Sequence, residues 1–316
     1  MKIIVDINFS KEKREALKEK FKEIDFYFIE DNYIPNDFKE NAEVMVGFSN
    51  SLDSNLLNSL PLLKWYHCLS AGVDSLPINM IYKRDILLSS SKGIHKIPIS
   101  EYVLSMILNV TLDNYYFLHK QQKREWDHWI DKDEVFGKTV GIIGMGNIGK
   151  EIAKYCKNIN MKTLGLSNSY NKYVKDIDIV LRKDDLHILL KESDFVILSL
   201  PLTKETHHLI GIEEFKAMKQ NAYIINISRG DIIDEEALIY SLENNFINGA
   251  ILDVFHNEPL PPESKLWELK NTIITPHSSS KTNKYLDRAI KLFEENLESY
   301  LQNSAVKNLY SFEKGY

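Results

Sequence analysis

The sequence has few cysteines, no long apolar run and no excess of basic residues. Only Cys68 and Cys156 occur in 316 residues, so a disulfide framework is excluded and a reducing compartment is expected. No 18-residue stretch of uncharged apolar residues is present, and residues 1–6 do not begin a secretion signal. We therefore predict a cytoplasmic protein with no membrane partner. The formal net charge of -6 disfavours a nucleic-acid partner.

The remaining composition is that of a globular protein, with 44% hydrophobic and 27% charged residues. Short apolar runs alternate with helical patterns, which predicts an α/β fold built on parallel sheets. We predict strands at 2–7, 24–29, 43–48, 62–69 and 86–90, and then at 139–143, 162–166, 195–200, 223–227, 249–254 and 272–275. We predict helices at 11–21, 99–122, 147–158, 213–218, 235–243 and 282–301. Two α/β domains with boundaries near 97 and 285 are expected, and the last helix can fold back on the first domain.

A glycine-rich turn, Gly144-Met145-Gly146-Asn147-Ile148-Gly149, connects a predicted strand to a predicted helix. In this context the pattern indicates a dinucleotide site, because the first glycine permits a tight turn and the second lets the backbone approach a pyrophosphate. The third glycine allows the helix and the strand to pack closely. The alternative is a strand-to-helix turn that binds no ligand.

The strand after this helix ends at Ser167-Asn168-Ser169, where an acidic residue would bind the adenosine ribose of NAD. A carboxylate there would repel the 2′-phosphate of NADP, so its absence removes one discrimination against NADP. No arginine is adjacent, and Lys172 is the nearest cation. We therefore predict that NADP is accepted, with the choice between NADP and NAD left open.

Three further strands lead into polar side chains of complementary chemistry. Arg229 follows the strand at 223–227, Glu258 follows the strand at 249–254, and His277 follows the strand at 272–275. Carboxyl ends of parallel strands share one edge of the sheet, where ligands bind, so we expect these side chains to converge. Taken singly, each has a plain structural interpretation as a surface ion pair, a turn or a helix cap.

Together these three groups supply what reduction of a 2-oxo acid requires besides a hydride. The guanidinium of Arg229 can bind a carboxylate through two hydrogen bonds. His277 can act as the general acid and, in the reverse direction, as the base. Glu258 can orient the imidazole and stabilise its protonated form. His256, in the same loop as Glu258, is an alternative candidate for the base.

Several motifs in this order resemble those of the D-isomer-specific 2-hydroxyacid dehydrogenase family. They are Ser70-Ala71-Gly72-Val73-Asp74, the segment 141–149 that contains the glycine-rich turn, Leu200-Pro201-Leu202-Thr203, Asn226-Ile227-Ser228-Arg229-Gly230, Asp253-Val254-Phe255 with Glu258-Pro259, and Thr275-Pro276-His277. The resemblance implies two Rossmann-like domains, with the cofactor domain (98–284) inserted into a flavodoxin-like substrate domain (1–97 and 285–316). It also implies a homodimer and a glyoxylate, hydroxypyruvate or pyruvate type of substrate. Ser278-Ser279-Ser280 departs from the small apolar residues or glycine that are more familiar there.

The resemblance assigns roles to particular positions of this chain. Arg229, Glu258 and His277 take the catalytic roles, and the main chain at Ser70, Ala71, Gly72 and Val73, with Arg229, binds the substrate carboxylate. Asp253 contacts the nicotinamide amide. The full set of expected NAD or NADP contacts is Gly144, Met145, Gly146, Asn147, Ile148, Gly149, Ser167, Asn168, Ser169, Pro201, Thr206, Ile227, Ser228, Asp253 and His277.

Two other functions remain open at this stage, and no metal site is predicted. A short phosphoglycerate dehydrogenase would carry the same motifs, and a dinucleotide-sensing corepressor-like protein would carry the same fold. The adjacent His207 and His208 are interpreted as solvent-facing residues, and no His, Cys and Asp spacing typical of a metal site is present.

Overall fold

The computed structural model describes residues 1–31, 33–73, 75–167 and 173–313. The chain forms two compact units, Met1–Ile94 with Asn283–Tyr316, and His95–Thr282. The second unit is therefore inserted within the sequence of the first. The assignment of a substrate-binding role to one and a dinucleotide-binding role to the other, with boundaries at 97 and 285, stays a prediction.

The first unit contains a five-stranded parallel sheet in the order β2-β1-β3-β4-β5. Its strands are β1 (Lys2–Asp6), β2 (Asp25–Phe28), β3 (Ala42–Gly47), β4 (Trp65–Cys68) and β5 (Leu87–Ser90). Its helices are α1 (Lys11–Lys20), α2 (Asn36–Asn41), α3 (Ser54–Asn58), α4 (Ile78–Lys83) and the carboxyl-terminal helix Tyr285–Leu301. This strand order is that of a flavodoxin-like sheet.

Both faces of this sheet are covered, which explains why its strands are continuous apolar runs. Successive side chains of β1 point to opposite faces: Ile3 belongs to a cluster with Phe293 of the carboxyl-terminal helix, and Ile4 to a cluster with Met45 and Tyr66. All five side chains are almost fully buried.

The second unit contains a seven-stranded parallel sheet in the order β12-β11-β10-β9-β6-β7-β8. Its strands are β6 (Thr139–Ile143), β7 (Lys162–Ser167), β8 (Ile179–Arg182), β9 (Phe195–Leu198), β10 (Tyr223–Asn226), β11 (Gly249–Leu252) and β12 (Thr272–Ile274). Its helices are α5 (Lys96–Thr111), α6 (Asn114–Gln122), α7 (Asn147–Asn158), α8 (Leu186–Glu192), α9 (Ile212–Ala217) and α10 (Glu235–Glu243), with 3-10 turns at Lys183–Asp185, Gly230–Ile232 and Lys265–Trp267.

The strand order of this sheet reverses between β6 and β9, and in doubly wound folds the ligand crevice lies at such a switch point. The glycine-rich turn follows β6 and therefore lies at this reversal. The predicted α/β fold with two parallel sheets is confirmed.

The structure corrects several predicted elements. The single helix predicted at 99–122 is two helices, α5 and α6, because Asp113 adopts a left-handed conformation with φ 51°, which aspartate tolerates better than most residues. Strand β8 was not predicted because it is a short edge strand whose side chains are all partly or fully exposed. Helices α2, α3, α4 and α8 are also additional, and at five to seven residues they are too short to show a helical period.

Among the described residues, no helix combines the length and the apolar character needed to cross a bilayer.

Candidate active site

The glycine-rich turn has the geometry that its sequence predicts. Gly144 has φ +103°, and a Cβ placed on it would lie 2.2 Å from the carbonyl oxygen of Ser199. A Cβ on Gly149 would lie 2.1 Å from the carbonyl oxygen of Gly144. These two glycines are therefore required by the packing of the turn against the neighbouring strand and helix.

Gly146 differs from both, because among the described residues, its own chain neighbours aside, no heavy atom lies within 4 Å of the position that its Cβ would occupy. Its φ of -76° is also accessible to any residue. The protein's own packing therefore does not need a glycine here, whereas close approach of a phosphate group does. Gly146 and Asn147 are exposed at the start of the 12-residue helix α7, whose unpaired N–H groups suit an anion. The turn thus fits a dinucleotide pyrophosphate.

The other residues predicted near the adenosine half of the cofactor have different surroundings. The side chain of Met145 is buried over Gly165, so only its main chain can face a ligand. Ile148 is partly buried, and Ser167 is partly exposed at the end of β7. Asn168 and Ser169 lie outside the described residues.

Glu258 and His277 form a hydrogen-bonded pair. The Nδ1 atom of His277 lies 2.7 Å from Oε2 of Glu258, and both side chains are partly exposed. The second carboxylate oxygen of Glu258 accepts a hydrogen bond of 3.1 Å from the N–H of Phe255. Because Nδ1 is engaged by the carboxylate, Nε2 is the nitrogen left for proton exchange with a substrate.

The loop that carries His277 is held by Asp253. The carboxylate of Asp253, which is 1% exposed, accepts hydrogen bonds from the N–H groups of Ser278 (2.8 Å) and Ser279 (2.9 Å) and from the hydroxyl of Thr275 (2.5 Å). Its carbonyl oxygen accepts from the N–H of His277 at 2.9 Å. His277 itself has φ 46°, a conformation that costs free energy in a non-glycine residue and that surrounding contacts must maintain.

This network extends from Asp253 through Thr275 to Tyr102 of α5, whose hydroxyl lies 2.8 Å from Oγ1 of Thr275. Burial raises the pKa of Tyr102 to about 12, against the opposing effect of the Thr275 hydrogen bond. The Tyr102 hydroxyl is therefore a neutral partner at physiological pH. Sequence reasoning missed Tyr102 and the use of both Asp253 oxygens, since neither follows from a local motif.

Arg229 lies beside the loop that leads to Glu258. A Cβ on Gly230 would lie 2.0 Å from the carbonyl carbon of Phe255 and 2.2 Å from the nitrogen of His256, so the chain after Arg229 packs directly on that loop. The side chain of Arg229 is exposed, and its Nη1 donates to the carbonyl oxygen of Ser228 at 2.8 Å. Arg229, Glu258 and His277 follow the adjacent strands β10, β11 and β12.

The remaining predicted cofactor residues lie after β9 and β10. The hydroxyl of Thr206 donates to the carbonyl oxygen of Pro201 at 2.7 Å and accepts from the N–H of Thr203, which holds the 201–206 loop together. Ile227 and Ser228 are buried, and the hydroxyl of Ser228 donates to the carbonyl oxygen of Leu198 at 2.7 Å.

The rival base His256 pairs with a different carboxylate. Its Nδ1 forms an ion pair with Asp231, and this hydrogen bond raises the pKa of His256 above its ordinary value. His256 therefore has a partner in Asp231, whereas Glu258 is bonded to His277. Asp231 was not singled out from the sequence.

The predicted substrate loop, Ser70–Val73, follows β4 in the first unit. The hydroxyl of Ser70 accepts a hydrogen bond of 3.3 Å from the N–H of Ser49, and Val73 is buried. The hydroxyl of Tyr285 donates to the carbonyl oxygen of Leu69 at 2.6 Å, which fixes the start of this loop. Asp74 lies outside the described residues.

Comparison with known proteins identifies the family of this chain. Residues 104–279 match the family model of the D-isomer specific 2-hydroxyacid dehydrogenase NAD-binding domain. Glyoxylate/hydroxypyruvate reductase B of Escherichia fergusonii is 34% identical over 273 residues, which cover 85% of this chain and 84% of the relative.

Solved structures agree with this match. A D-isomer specific 2-hydroxyacid dehydrogenase family protein of Aeromonas salmonicida superposes with a TM-score of 0.88 at 28% identity, over 98% of this chain and 99% of the other. A D-isomer specific 2-hydroxyacid dehydrogenase of Xanthobacter autotrophicus, solved with NADPH and MES, gives a TM-score of 0.82 at 25% identity over 99% of both chains. The chain therefore belongs to the D-isomer-specific 2-hydroxyacid dehydrogenase family and is an oxidoreductase that uses a nicotinamide dinucleotide.

Proposed function

We propose that this protein reduces a small 2-oxo acid of the glyoxylate, hydroxypyruvate or pyruvate type to the D-2-hydroxy acid. The observation that carries the proposal is the 2.7 Å contact between His277 and Glu258, on the same sheet edge as Arg229 and the glycine-rich turn. The relative from E. fergusonii is named as a reductase of glyoxylate and hydroxypyruvate, which supports this class of substrate.

His277 and Glu258 have separate roles in the proposed reduction. The dinucleotide, when bound, supplies the hydride that C2 of the substrate accepts. His277 donates the proton from Nε2 to the carbonyl oxygen, which becomes the hydroxyl group, and Glu258 stabilises the ring while it carries the positive charge. In the oxidative direction His277 removes that proton.

Arg229 and the Ser70–Val73 main chain are proposed to bind the substrate carboxylate. A guanidinium offers two parallel N–H donors to a carboxylate and can also polarise the carbonyl group. The small residues Ser70, Ala71 and Gly72 let main-chain N–H groups approach an anion closely. Asp253, in addition to holding the His277 loop, is proposed to contact the nicotinamide amide.

NADP is the proposed cofactor form. Ser167 stands at the end of β7, where an acidic side chain would repel the 2′-phosphate, and the X. autotrophicus relative was solved with NADPH. The test is the ratio of kcat/KM for NADPH and NADH. A ratio above one supports the proposal, and a hundredfold preference for NADH contradicts it. Ser167→Asp should move the ratio toward NADH.

We also propose that the protein is a homodimer and that it is located in the cytoplasm. Large apolar side chains are exposed on α6 and on the segment that follows it, including Leu118, Trp126, Trp129 and Phe136, with Trp126 93% exposed. Large apolar side chains exposed in this way favour a surface that another chain covers. Sedimentation analysis should give a dimer, and Trp126→Ala with Trp129→Ala should weaken it. A wild-type monomer would contradict this part.

The function is tested by NADPH oxidation with a panel of 2-oxo acids. We expect turnover of glyoxylate, hydroxypyruvate or pyruvate. Efficient turnover of 3-phosphohydroxypyruvate alone would contradict the proposal in favour of the phosphoglycerate dehydrogenase alternative. Cofactor binding without turnover of any 2-oxo acid would contradict it in favour of a dinucleotide sensor.

A further inference from the structure

A cluster of metal-binding side chains lies outside the Glu258–His277 pair. His207, His208 and Asp231 each offer one ligand atom, and these atoms lie within 4.8 Å of one another. His207 and His208 are exposed, and Asp231 is partly buried. The spacing of the sequence did not indicate this cluster, because its members come from two separate loops.

The fold places both imidazoles on the same side of their loop. Consecutive side chains of an extended segment point in opposite directions. His208, however, has a left-handed backbone with φ 51°, and the rings of His207 and His208 stack with centroids 4.0 Å apart. Two imidazoles that face the same volume of solvent can bind the same ion.

The backbone that carries these ligands is held in place by hydrogen bonds between the two loops. The N–H of His208 donates to the carbonyl oxygen of Asp231 at 2.8 Å, and the N–H of Ile210 donates to that of Ile232 at 3.1 Å. The N–H of Asp234 donates back to the carbonyl oxygen of Ile210 at 3.0 Å. The backbone can therefore stay in place while the two exposed imidazoles and the partly buried carboxylate of Asp231 rotate to bring the three ligand atoms together.

Asp231 has a partner that would orient it toward an ion. His256 forms an ion pair with Oδ1 of Asp231, which leaves Oδ2 available to a metal. Ligating carboxylates commonly have such an outer hydrogen-bond partner, and it fixes their orientation.

We propose that His207, His208 and Asp231 form a binding site for a divalent transition-metal ion of the Zn²⁺ class. Two imidazole nitrogens and one carboxylate oxygen suit Zn²⁺, Co²⁺ and Ni²⁺, with bonds of about 2.0–2.2 Å. Water would complete the coordination. The ion would join the loop after β9 to the 3-10 turn Gly230–Ile232 that follows Arg229. Hydride reduction as proposed above does not use this ion, so the site is an addition to that function.

The experiment is a titration of the EDTA-treated, metal-free full chain with Co²⁺, followed by its visible absorption and by competition with Zn²⁺. We expect one Co²⁺ per chain with a dissociation constant below 100 μM, about 5.5 kcal/mol or more of binding free energy, and displacement by Zn²⁺. His207→Ala, His208→Ala and Asp231→Asn should each weaken binding at least tenfold.

Two control variants make the result specific to this cluster. His187→Ala removes an exposed histidine of α8, and His277→Asn removes the imidazole of the proposed catalytic pair. Both should bind Co²⁺ as the wild type does. Binding that survives in His208→Ala and Asp231→Asn, binding that is lost in His277→Asn, or no binding by the wild type at 1 mM Co²⁺ would each overturn the proposal.

Discussion

Nδ1 of His277 lies 2.7 Å from Oε2 of Glu258, although 19 positions separate the two residues in the chain. The other oxygen of Glu258 accepts from the N–H of Phe255, so both carboxylate oxygens are engaged. This arrangement fixes the orientation of the imidazole before any ligand binds, which is the preorganisation that acid–base catalysis requires.

Glu258→Gln removes the negative charge and keeps the size of the side chain. We expect kcat for 2-oxo acid reduction to fall about 10²- to 10⁴-fold, because the variant no longer stabilises a protonated ring. Affinity for NADPH should change less than about twofold, since the variant leaves the glycine-rich turn unaltered. Steady-state kinetics and fluorescence titration measure the two quantities. Glu263→Gln, an exposed glutamate nearby, is the matched control, and equal effects in both variants would refute the role of Glu258.

Arg229→Lys keeps the positive charge but loses the planar pair of donors. We expect kcat/KM for the 2-oxo acid to fall about 10²- to 10³-fold, by analogy with the removal of one oriented electrostatic donor. The dissociation constant of NADPH should stay near the wild-type value. A lysine variant with wild-type kcat/KM would show that only charge, or no contact at all, is needed at this position.

Gly146→Ala separates cofactor binding from folding. Apart from its chain neighbours, no described residue has a heavy atom within 4 Å of the added methyl group, so the melting temperature should stay within about 2 °C of the wild type, as expected of a change that disturbs no contact. Affinity for NADPH should fall about tenfold or more, which is ~1.4 kcal/mol, because the methyl group occupies the space that a pyrophosphate needs.

Gly149→Ala is the counterpart of that variant. Its methyl group would lie 2.1 Å from the carbonyl oxygen of Gly144, so destabilisation by about 1–3 kcal/mol is expected from overpacking.

Unchanged NADPH affinity in Gly146→Ala would exclude the turn as the pyrophosphate site.

His67 makes the first unit sensitive to acid. Burial lowers the pKa of His67 to about 3, and Ser89 hydrogen-bonds its Nδ1 at 2.7 Å. The unfolded chain takes up a proton near the ordinary value of about 6.5, so this contribution to stability is complete above that pH and is lost as the pH falls toward 3. The slope is at most about 1.4 kcal/mol per pH unit.

The measurement for His67 is the free energy of unfolding at pH 5 and pH 7.5, from urea denaturation of the wild type and of His67→Phe. Phenylalanine keeps the ring beside Trp65 and Phe293 but cannot be protonated. The variant should therefore lose less stability than the wild type between the two pH values. An identical loss in both would contradict the assignment.

Local patterns made much of the fold predictable. The glycine-rich turn at 144–149 has a strand signal before it and a helical period after it, and α7 and α10 begin and end at the predicted residues. The proximity of Glu258 and His277 was predictable as well, because both follow strands of one parallel sheet.

Features that depend on unique packing were not predictable. Aspartate tolerates a left-handed conformation but does not require it, so the break at Asp113 between α5 and α6 could not be predicted. The edge strand β8 was missed because its pattern is weak. Asp253 has both carboxylate oxygens bonded to the His277 loop, and His256 pairs with Asp231 rather than Glu258. These hydrogen-bond partners depend on loop conformations, which the periodicity of apolar residues in the sequence does not specify.

The most direct test of the proposed chemistry is the rate of NADPH oxidation by His277→Asn with the preferred 2-oxo acid of the wild type. Asparagine tolerates the left-handed backbone of this position, so the fold and the cofactor affinity should be retained. We predict that kcat falls about a thousandfold while the dissociation constant of NADPH changes less than about twofold, since the variant leaves the glycine-rich turn intact. A variant that retains more than about a tenth of the wild-type kcat would contradict the role of His277 as the proton donor.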